Sequence, residues 1–550
     1  MRYFLLVCII ILAIFLRFFQ LGQNPSSLTW DEVAWGYNAY TLGIDGRDEF
    51  GRFLPLDYLE SFGDFKPPLY AYLVIIPVKI FGLNEFAVRF PSAFFGVLTV
   101  FATYFLTKEL FNKSPYSLKI RNLKLEISEV AALLLAVSPW HVNLSRAAFE
   151  ANISTFFIVV GVLFFLLWRN KNYGYALPTS IVSFVLSLYV FNTARVVSPL
   201  LFLVLAIVSL KQFWNRKIQV AIAVIVGGII LFPLLKFLFT PQASLRFQEV
   251  NIFSDIGIVQ RANTYIENDG NTTISKIIHN RRWGYTIEFL RHYFDHFSAR
   301  FLFLRGDGNP KFSTQDVGSM YLWDLPFFII GVLFLFRYRP GHWWLVPVWL
   351  LIGIVPAATA RETPHALRIE TTLPTFQIFV AFGIVIFYQW IFSIKNRLKR
   401  RTVINVSIAL LFLQILYYLH GYYIHYPREY SGQWQYGYKE AIAYIQNVEK
   451  NYDAIYFTDS LGRPHIYYAF YAKIYPSLYR KDAVVWREMP YGFVHVDKIG
   501  KVYFMRDLIP KDTKKRNLYI DDPRNVPSDA KILKNFKLLN GEDSLIAYTK

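Results

Sequence analysis

Residues 3–40 read YFLLVCIIILAIFLRFFQLGQNPSSLTWDEVAWGYNAY. Tyr3–Leu21 is an almost unbroken apolar run of the length a membrane-crossing helix requires. About ten residues later two adjacent acids, Asp31 and Glu32, stand among Trp30, Trp35 and Tyr37. Arg2 precedes the run and Arg17 lies near its far end. No small-residue cleavage site follows, so the run reads as an uncleaved anchor rather than a removable signal.

The rest of the chain repeats the apolar theme. It has 550 residues, 54% of them hydrophobic and 18% charged, with a mean hydropathy of +0.30. Further apolar runs at 88–110, 130–142, 153–168, 176–192, 196–210, 218–239, 321–336, 343–359, 373–394 and 403–420 predict a mainly α, polytopic membrane protein of about 11 transmembrane helices. The formal charge is +19, which in a soluble protein would point to nucleic acid. Here the basic residues sit in short loops: Lys113, Lys119, Arg121 and Lys124; Arg169 and Lys171; Lys211, Arg216 and Lys217; Arg337 and Arg339; Lys395, Arg397, Lys399, Arg400 and Arg401. All fall on the side of Arg2, as the positive-inside rule requires of cytoplasmic loops. The partner this implies is the lipid bilayer of the cell membrane, with no nucleic acid, and the N-terminus is cytoplasmic. The single cysteine, Cys8, excludes a disulfide framework or a Cys-based metal site within one chain.

The opposite side carries the long segments: loops at about 22–89 and 240–320, and a tail, 421–550. The tail alternates strand-like runs such as AIYF and NLYI with helix-like ones such as GYKEAIAYIQNVEK, the pattern of a small extracytoplasmic α/β domain. The expected organisation is a transmembrane module, 1–420, followed by this domain, 421–550.

Ionisable groups at membrane depth are costly and usually paired or functional. On the outer face they are Asp31 and Glu32; Asp64 and Lys66 in DFKPPLYAYL; Arg89 in RFPSAFFG; His141, Arg146 and Glu150 in SPWHVNLSRAAFEANIS; and Arg195 in FNTARVVSP. Arg281, Arg282, His292, His296, Arg305, Asp307, Arg361, His365 and Arg368 follow. Each has a plainer reading. Asp31 and Glu32 fit the first turn of a helix capped by Thr29 or Asp31; Lys66 fits a snorkelling lysine; Arg89 fits an interfacial anchor. Histidines are more often structural than ligating, and only His292 and His296, at i and i+4 with Asp295 between, resemble a metal pair. Taken together, carboxylates with a lysine and several arginines on one face suit an anion with a base nearby. The cations would hold a phosphate, and the acid would deprotonate a hydroxyl or amine. A lipid-linked sugar phosphate has its phosphate at that depth, its tail in the bilayer and its sugar outside.

The ordered motifs WDE, FKPPLYAYL, RFPSAFFG and SPWHVNLSR resemble the GT-C class of membrane glycosyltransferases, in the bacterial branch related to protein O-mannosyltransferases and lipid A aminoarabinose transferases. The resemblance covers about the first 210 residues. It implies a GT-C type fold and transfer of a hexosyl or pentosyl group from a polyprenyl-phosphate donor by inverting displacement, to a protein, lipid or glycan acceptor outside the membrane. It implies Asp31 as general base, Glu32 as the second acid of a catalytic pair, and Lys66 near the donor phosphate, with Arg89 and Arg146 as further site arginines. Arg195, Arg368 and His365 join the candidates from topology alone, with Asp64, His141 and Glu150 beside them. A divalent metal is possible in this class, held by an acidic pair and phosphate oxygens. WQYG at 434–437 resembles the acceptor-reading motif of oligosaccharyltransferases, but Gln435 replaces its acid, which argues against N-glycosylation. The rival function, a transporter or flippase of lipid-linked sugars, needs ionisable or broken helices in the middle of several spans; charges here lie mostly at span ends, with Lys236 an exception.

Overall fold

The computed structural model describes residues 3–112, 117–120, 123–488, 493–508 and 515–550. The loop cations Arg2, Lys113 and Arg121 lie outside them. The chain is mainly helical, and each of the eleven apolar runs carries a helix. The first nine helices are α1 (Phe4–Phe18), α2 (Trp30–Asp45), α3 (Leu69–Phe81), α4 (Glu85–Leu110), α5 (Ile127–Val137), α6 (Pro139–Ser145), α7 (Glu150–Lys171), α8 (Ala176–Leu188) and α9 (Ala194–Ile207).

Length divides these helices. Among the described residues five are long and apolar enough to cross a membrane: α4, α7, Lys217–Leu238, Thr375–Phe392 and the helix that starts at Arg397. The pair α5–α6, bent by 56°, makes a sixth if read as one broken span. The bend falls at Ser138–Pro139, where proline lacks the N–H that would continue the helix. By length, then, the eleven predicted spans reduce to five or six, and helices such as α8 and α9, of 13 and 14 residues, are shorter.

The chain forms two compact units. One consists of the chain up to Leu16, Phe95–Leu144 and Glu150–Tyr418. It is a helical bundle in which small residues set the closest approach. A Cβ on Gly331 would lie 1.9 Å from the carbonyl oxygen of Phe379, and one on Gly383 would lie 1.9 Å from that of Phe327. The two glycines therefore let Asp324–Tyr338 and Thr375–Phe392 pack backbone to backbone, the way apolar helices gain van der Waals contact in lipid. Buried polar side chains are tied to carbonyls: the Trp140 indole N–H donates to Ala366 (3.1 Å), the Tyr321 hydroxyl to Val137 (2.8 Å) and the Trp349 indole to Thr371 (2.8 Å).

The other unit consists of Arg17–Phe94, Ser145–Phe149 and Leu419–Lys550. It contains α2, the hairpin β1 (Leu59–Ser61) and β2 (Asp64–Lys66), and a seven-stranded sheet. The sheet order is Lys531–Lys537, Asp543–Thr549, Asn517–Asp521, Ala454–Thr458, Val502–Met505, Val494–Ile499, Val484–Arg487. Ala454–Thr458 is parallel to both of its neighbours, and the remaining pairs are antiparallel. Tyr503, Tyr456, Tyr519 and Tyr548 stack across four strands with ring centroids 5.1–5.4 Å apart, so one face of the sheet is an aromatic ladder. Among the described residues of the tail, the α-helices lie before Ala483, and the six strands from Val484 to Thr549 follow with no α-helix between them. The first long loop folds in the same compact unit as that sheet.

Candidate active site

Asp31 and Glu32 open α2, and a capping box fixes how. The Thr29 hydroxyl accepts the Glu32 N–H (3.4 Å), and the Glu32 carboxylate accepts the Thr29 N–H (2.8 Å). Thr29, not Asp31, is the cap. Successive helix residues point about 100° apart, so the two acids face different surroundings. The Asp31 side chain is 52% exposed; that of Glu32 is fully buried.

Glu32 is held by Arg89, whose Nε donates to its Oε1 at 2.9 Å. A guanidinium has five N–H donors, and Arg89 uses all of them. Nη1 donates to the carbonyls of Leu21 (3.3 Å) and Pro25 (2.7 Å); Nη2 donates to Ser27 and, at 3.4 Å, to Glu32 Oε2. Glu32 Oε1 also accepts the N–H of Ala148 at 2.9 Å. Arg146 works on the same segment. It is fully buried, its Nη2 donates to the carbonyls of Phe19 (2.7 Å) and Asn24 (2.9 Å), and its Nε donates to the Tyr422 hydroxyl (3.1 Å). Two arginines thus bind five carbonyls along 19–27, the connection that enters α2. Arg89, expected at a phosphate, has all five donors engaged on Glu32 and the 21–27 carbonyls, and Arg146 is buried against the same segment. Glu32 is enclosed in its ion pair with Arg89, and neither side chain is exposed.

Asp31 faces the other way and pairs with the Lys66 ammonium. Lys66 ends β2 and is itself nearly buried, with its ammonium 5.2 Å from the Trp35 ring centre and 5.4 Å from that of Phe62. Asp64, at the start of β2, stands opposite Ser61 in the hairpin register. A polar cluster ties this hairpin to α2. Glu49 accepts from the Ser61 hydroxyl (2.9 Å) and the Asn38 amide (3.2 Å), while its own N–H donates to Asn38 Oδ1 (3.1 Å). Burial pushes the Glu49 carboxyl up to about 8, opposed by those hydrogen bonds and by the field of Lys66.

Sequence reasoning missed one cation near the pair. Arg463 is the residue before Pro464–Tyr471, a helix of the C-terminal region. Burial lowers its guanidinium, and Asp31 leads the nearby acids that hold it up, with Asp459 and Glu488 behind. That helix packs on α2 at Gly36, where a Cβ would lie 2.4 Å from the Phe470 ring and 2.6 Å from Val88. From the same helix the Tyr467 hydroxyl donates to the Leu28 carbonyl at 2.9 Å. The only sequence signal for Arg463 is its place before a proline that starts a helix, which says nothing of Asp31.

The remaining candidates belong to the helical unit. His141 is fully buried, and Glu150 opens α7. Glu150 also helps raise the carboxyl of Glu370, whose main cause is complete burial. The Nε of Arg195 reaches the Leu188 carbonyl at 3.4 Å, and its guanidinium lies over the Phe237 ring. Arg368 donates to the Glu362 carbonyl at 3.1 Å. Its charge reaches Asp307 and His365. Burial raises Asp307 to about 6 and lowers His296 to about 4. These groups join segment 295–307 to 363–366: Thr363 donates to Asp295 (2.9 Å), the His365 N–H donates to His296 Nε2 (3.2 Å), and the Ala366 N–H donates to Asp307 (2.6 Å). His296 Nδ1 faces the His292 carbonyl at 2.8 Å, so both ring nitrogens are engaged and the His292–His296 pair does not present as metal ligands.

A divalent ion does not fit the acidic pair either. Asp31 and Glu32 diverge to Lys66 and Arg89, and no cluster of three or more His, Cys, Asp or Glu side chains with metal-binding geometry occurs among the described residues.

Residues 65–237 match the family described as dolichyl-phosphate-mannose-protein mannosyltransferase. The crystal structure of ArnT from Cupriavidus metallidurans in the apo state is similar with a TM-score of 0.57 and 12% identity, covering 99% of this chain and 97% of that one. The same protein bound to undecaprenyl phosphate gives a TM-score of 0.57 and 11% identity, covering 100% and 98%. An uncharacterized protein of Aquifex aeolicus is 33% identical over 112 residues, so the match spans a fifth of that relative's length. The resemblance to the GT-C class read from the sequence therefore holds. The chain shares the fold of ArnT over nearly its whole length, and residues 65–237 carry the mannosyltransferase-family match.

Proposed function

We propose that the protein transfers a monosaccharide from a polyprenyl-phosphate donor to an acceptor on the extracytoplasmic side, with Asp31 as general base. The observation that carries this reading is the contrast at the start of α2: one acid locked in a buried ion pair, and its neighbour half exposed against a lysine. Asp31 accepts the proton of the acceptor hydroxyl or amine as that atom attacks the anomeric carbon. The bond from that carbon to the phosphate oxygen breaks, and polyprenyl phosphate leaves with the electron pair. Lys66 and Arg463 balance the charge that develops on the departing phosphate. In the resting site Lys66 is held by Asp31; a phosphate draws the ammonium toward itself and frees the carboxylate for its proton. Glu32, Arg89 and Arg146 keep 19–32 rigid so that Asp31 stays in position. A single displacement inverts the anomeric centre. The match to a mannosyltransferase family and the fold shared with a protein seen bound to undecaprenyl phosphate support the donor class. The topology that suits this chemistry has a cytoplasmic N-terminus and the sheet of 454–549 outside.

The test is a deletion strain carrying plasmid copies of the gene. Mass spectrometry of its surface lipids, proteins and glycans identifies a species that loses one sugar residue on deletion. The wild-type copy restores it and Asp31→Asn does not, at equal protein level. Full restoration by Asp31→Asn rules Asp31 out as the base.

A further inference from the structure

The helical unit holds a groove that the transfer reaction does not use. Its volume is about 650 Å³, and it runs between one face of α4 and one face of α7. Its apolar part extends from Leu98 to Phe105 on α4 and from Phe156 to Leu167 on α7. Its polar residues, Lys108, Glu109 and Asn112 with Lys171, are all gathered at the C-terminal ends of the two helices. Phe101, on its wall, is 43% exposed, so the groove opens to the surface of the unit.

Length and charge select an occupant. At 1.5 Å per residue the path from Leu98 to Glu109 is about 16 Å, close to half of the ~30 Å hydrocarbon core. That accommodates one fatty acyl chain in one leaflet. At the polar end Glu109 is already neutralised: Lys171 pairs with it at 2.8 Å and the Asn170 amide donates to it at 3.0 Å. The Lys108 ammonium has no carboxylate partner among the described residues and meets only the Tyr104 hydroxyl at 3.5 Å. Among the described residues the polar end of the groove therefore carries one cation more than it has carboxylates. C-terminal lysines also answer the helix dipole, but that role does not require an acyl-sized apolar channel leading away from them.

We propose that this groove binds an anionic glycerophospholipid, with its phosphate at Lys108 and one acyl chain along α4 and α7. Arg89 lies near the N-terminal end of α4 and Lys108 near its C-terminal end, nineteen residues or about 28 Å apart. The lipid thus occupies the leaflet at the C-terminal end of α4, and its glycerophosphate headgroup makes it distinct from the sugar donor. The proposal rests on the membrane reading of α4 and α7 and not on the transfer chemistry.

Native mass spectrometry of the full-length protein, loaded in parallel with phosphatidylglycerol, phosphatidylcholine of the same chains, or undecaprenyl phosphate, tests it. Phosphatidylglycerol is expected to be retained about fivefold over phosphatidylcholine, the preference one basic residue at a membrane surface gives. Lys108→Glu abolishes that preference, and Val160→Trp, which fills the channel, lowers retention of both phospholipids; both variants remain monodisperse with wild-type Asp31 chemistry. Equal retention of the two phospholipids in the wild type overturns the proposal. So does an unchanged preference in Lys108→Glu, or loss of undecaprenyl phosphate alone in these variants. Because the readout is bound lipid, a failure here leaves the transferase reading untouched.

Discussion

Asp31 and Glu32 are neighbours in sequence, identical in chemistry but for one methylene, and both paired with a cation, yet they have opposite fates. Lys66 meets Asp31 at a surface where half of the carboxylate is open. Arg89 meets Glu32 where neither side chain is exposed at all. A buried pair with all donors satisfied resists change, because losing one partner strands the other charge. An open pair can exchange partners at small cost. On the proposed mechanism, that difference gives Asp31 the reacting role and leaves Glu32 to hold it in place.

The comparison breaks most severely at Arg89. Arg89→Leu strands Glu32 and releases the Leu21, Pro25 and Ser27 carbonyls, an expected loss of about 3–5 kcal/mol. It should appear as low yield and a much reduced thermal midpoint in detergent. On the open pair, Lys66→Met should leave that midpoint near wild type and lower transfer by about 100-fold or more, as removal of a charge-stabilising donor does; Lys66→Arg should restore part of it. Gly36→Ala tests the packing of the Pro464–Tyr471 helix on α2. Its Cβ would sit 2.4 Å from Phe470, and overpacking of this kind costs about 1–3 kcal/mol, read as a lower midpoint with a partial loss of transfer.

A separate test is a pH dependence. Glu49 titrates in the folded protein at about 8 against an ordinary 4.5. Between those values the unfolded chain gives up a proton that the folded chain keeps, so this group's contribution falls as pH rises from 4.5 to 8. Glu49→Gln, which can still accept from Ser61 and Asn38, should flatten that decline in thermal midpoint. A wild-type midpoint that rises over this range, with Glu49→Gln unchanged from it, contradicts the assignment.

Much of this was legible in the sequence. Each of the eleven apolar runs carries a helix, because burial in lipid is a composition requirement, but the shorter apolar helix α3 lay outside those runs. The WDE and FKPP motifs located Asp31 and Lys66, whose partnership spans only 35 residues of chain. What the sequence withheld was the identity of partners. Arg89 and Arg146 bind main-chain carbonyls, which carry no residue signature, so these contacts could not be read from the sequence. Arg463 approaches Asp31 from a helix more than 400 residues away, brought there by a sheet with two parallel pairings that local periodicity does not encode. Helix ends were not legible either: α8 and α9 stop at 13 and 14 residues although the apolar composition continues.

The division between the two acids is tested most directly by measuring Asp31→Asn and Glu32→Gln side by side, each for thermal midpoint and for transfer from a polyprenyl-phosphate sugar by purified protein. Asp31→Asn is expected to keep the wild-type midpoint and lose about 100- to 10,000-fold in transfer, the range of a general base, while Glu32→Gln loses stability first and retains transfer in whatever fraction remains folded. Full transfer by folded Asp31→Asn, or a stable Glu32→Gln protein with no transfer, contradicts the account.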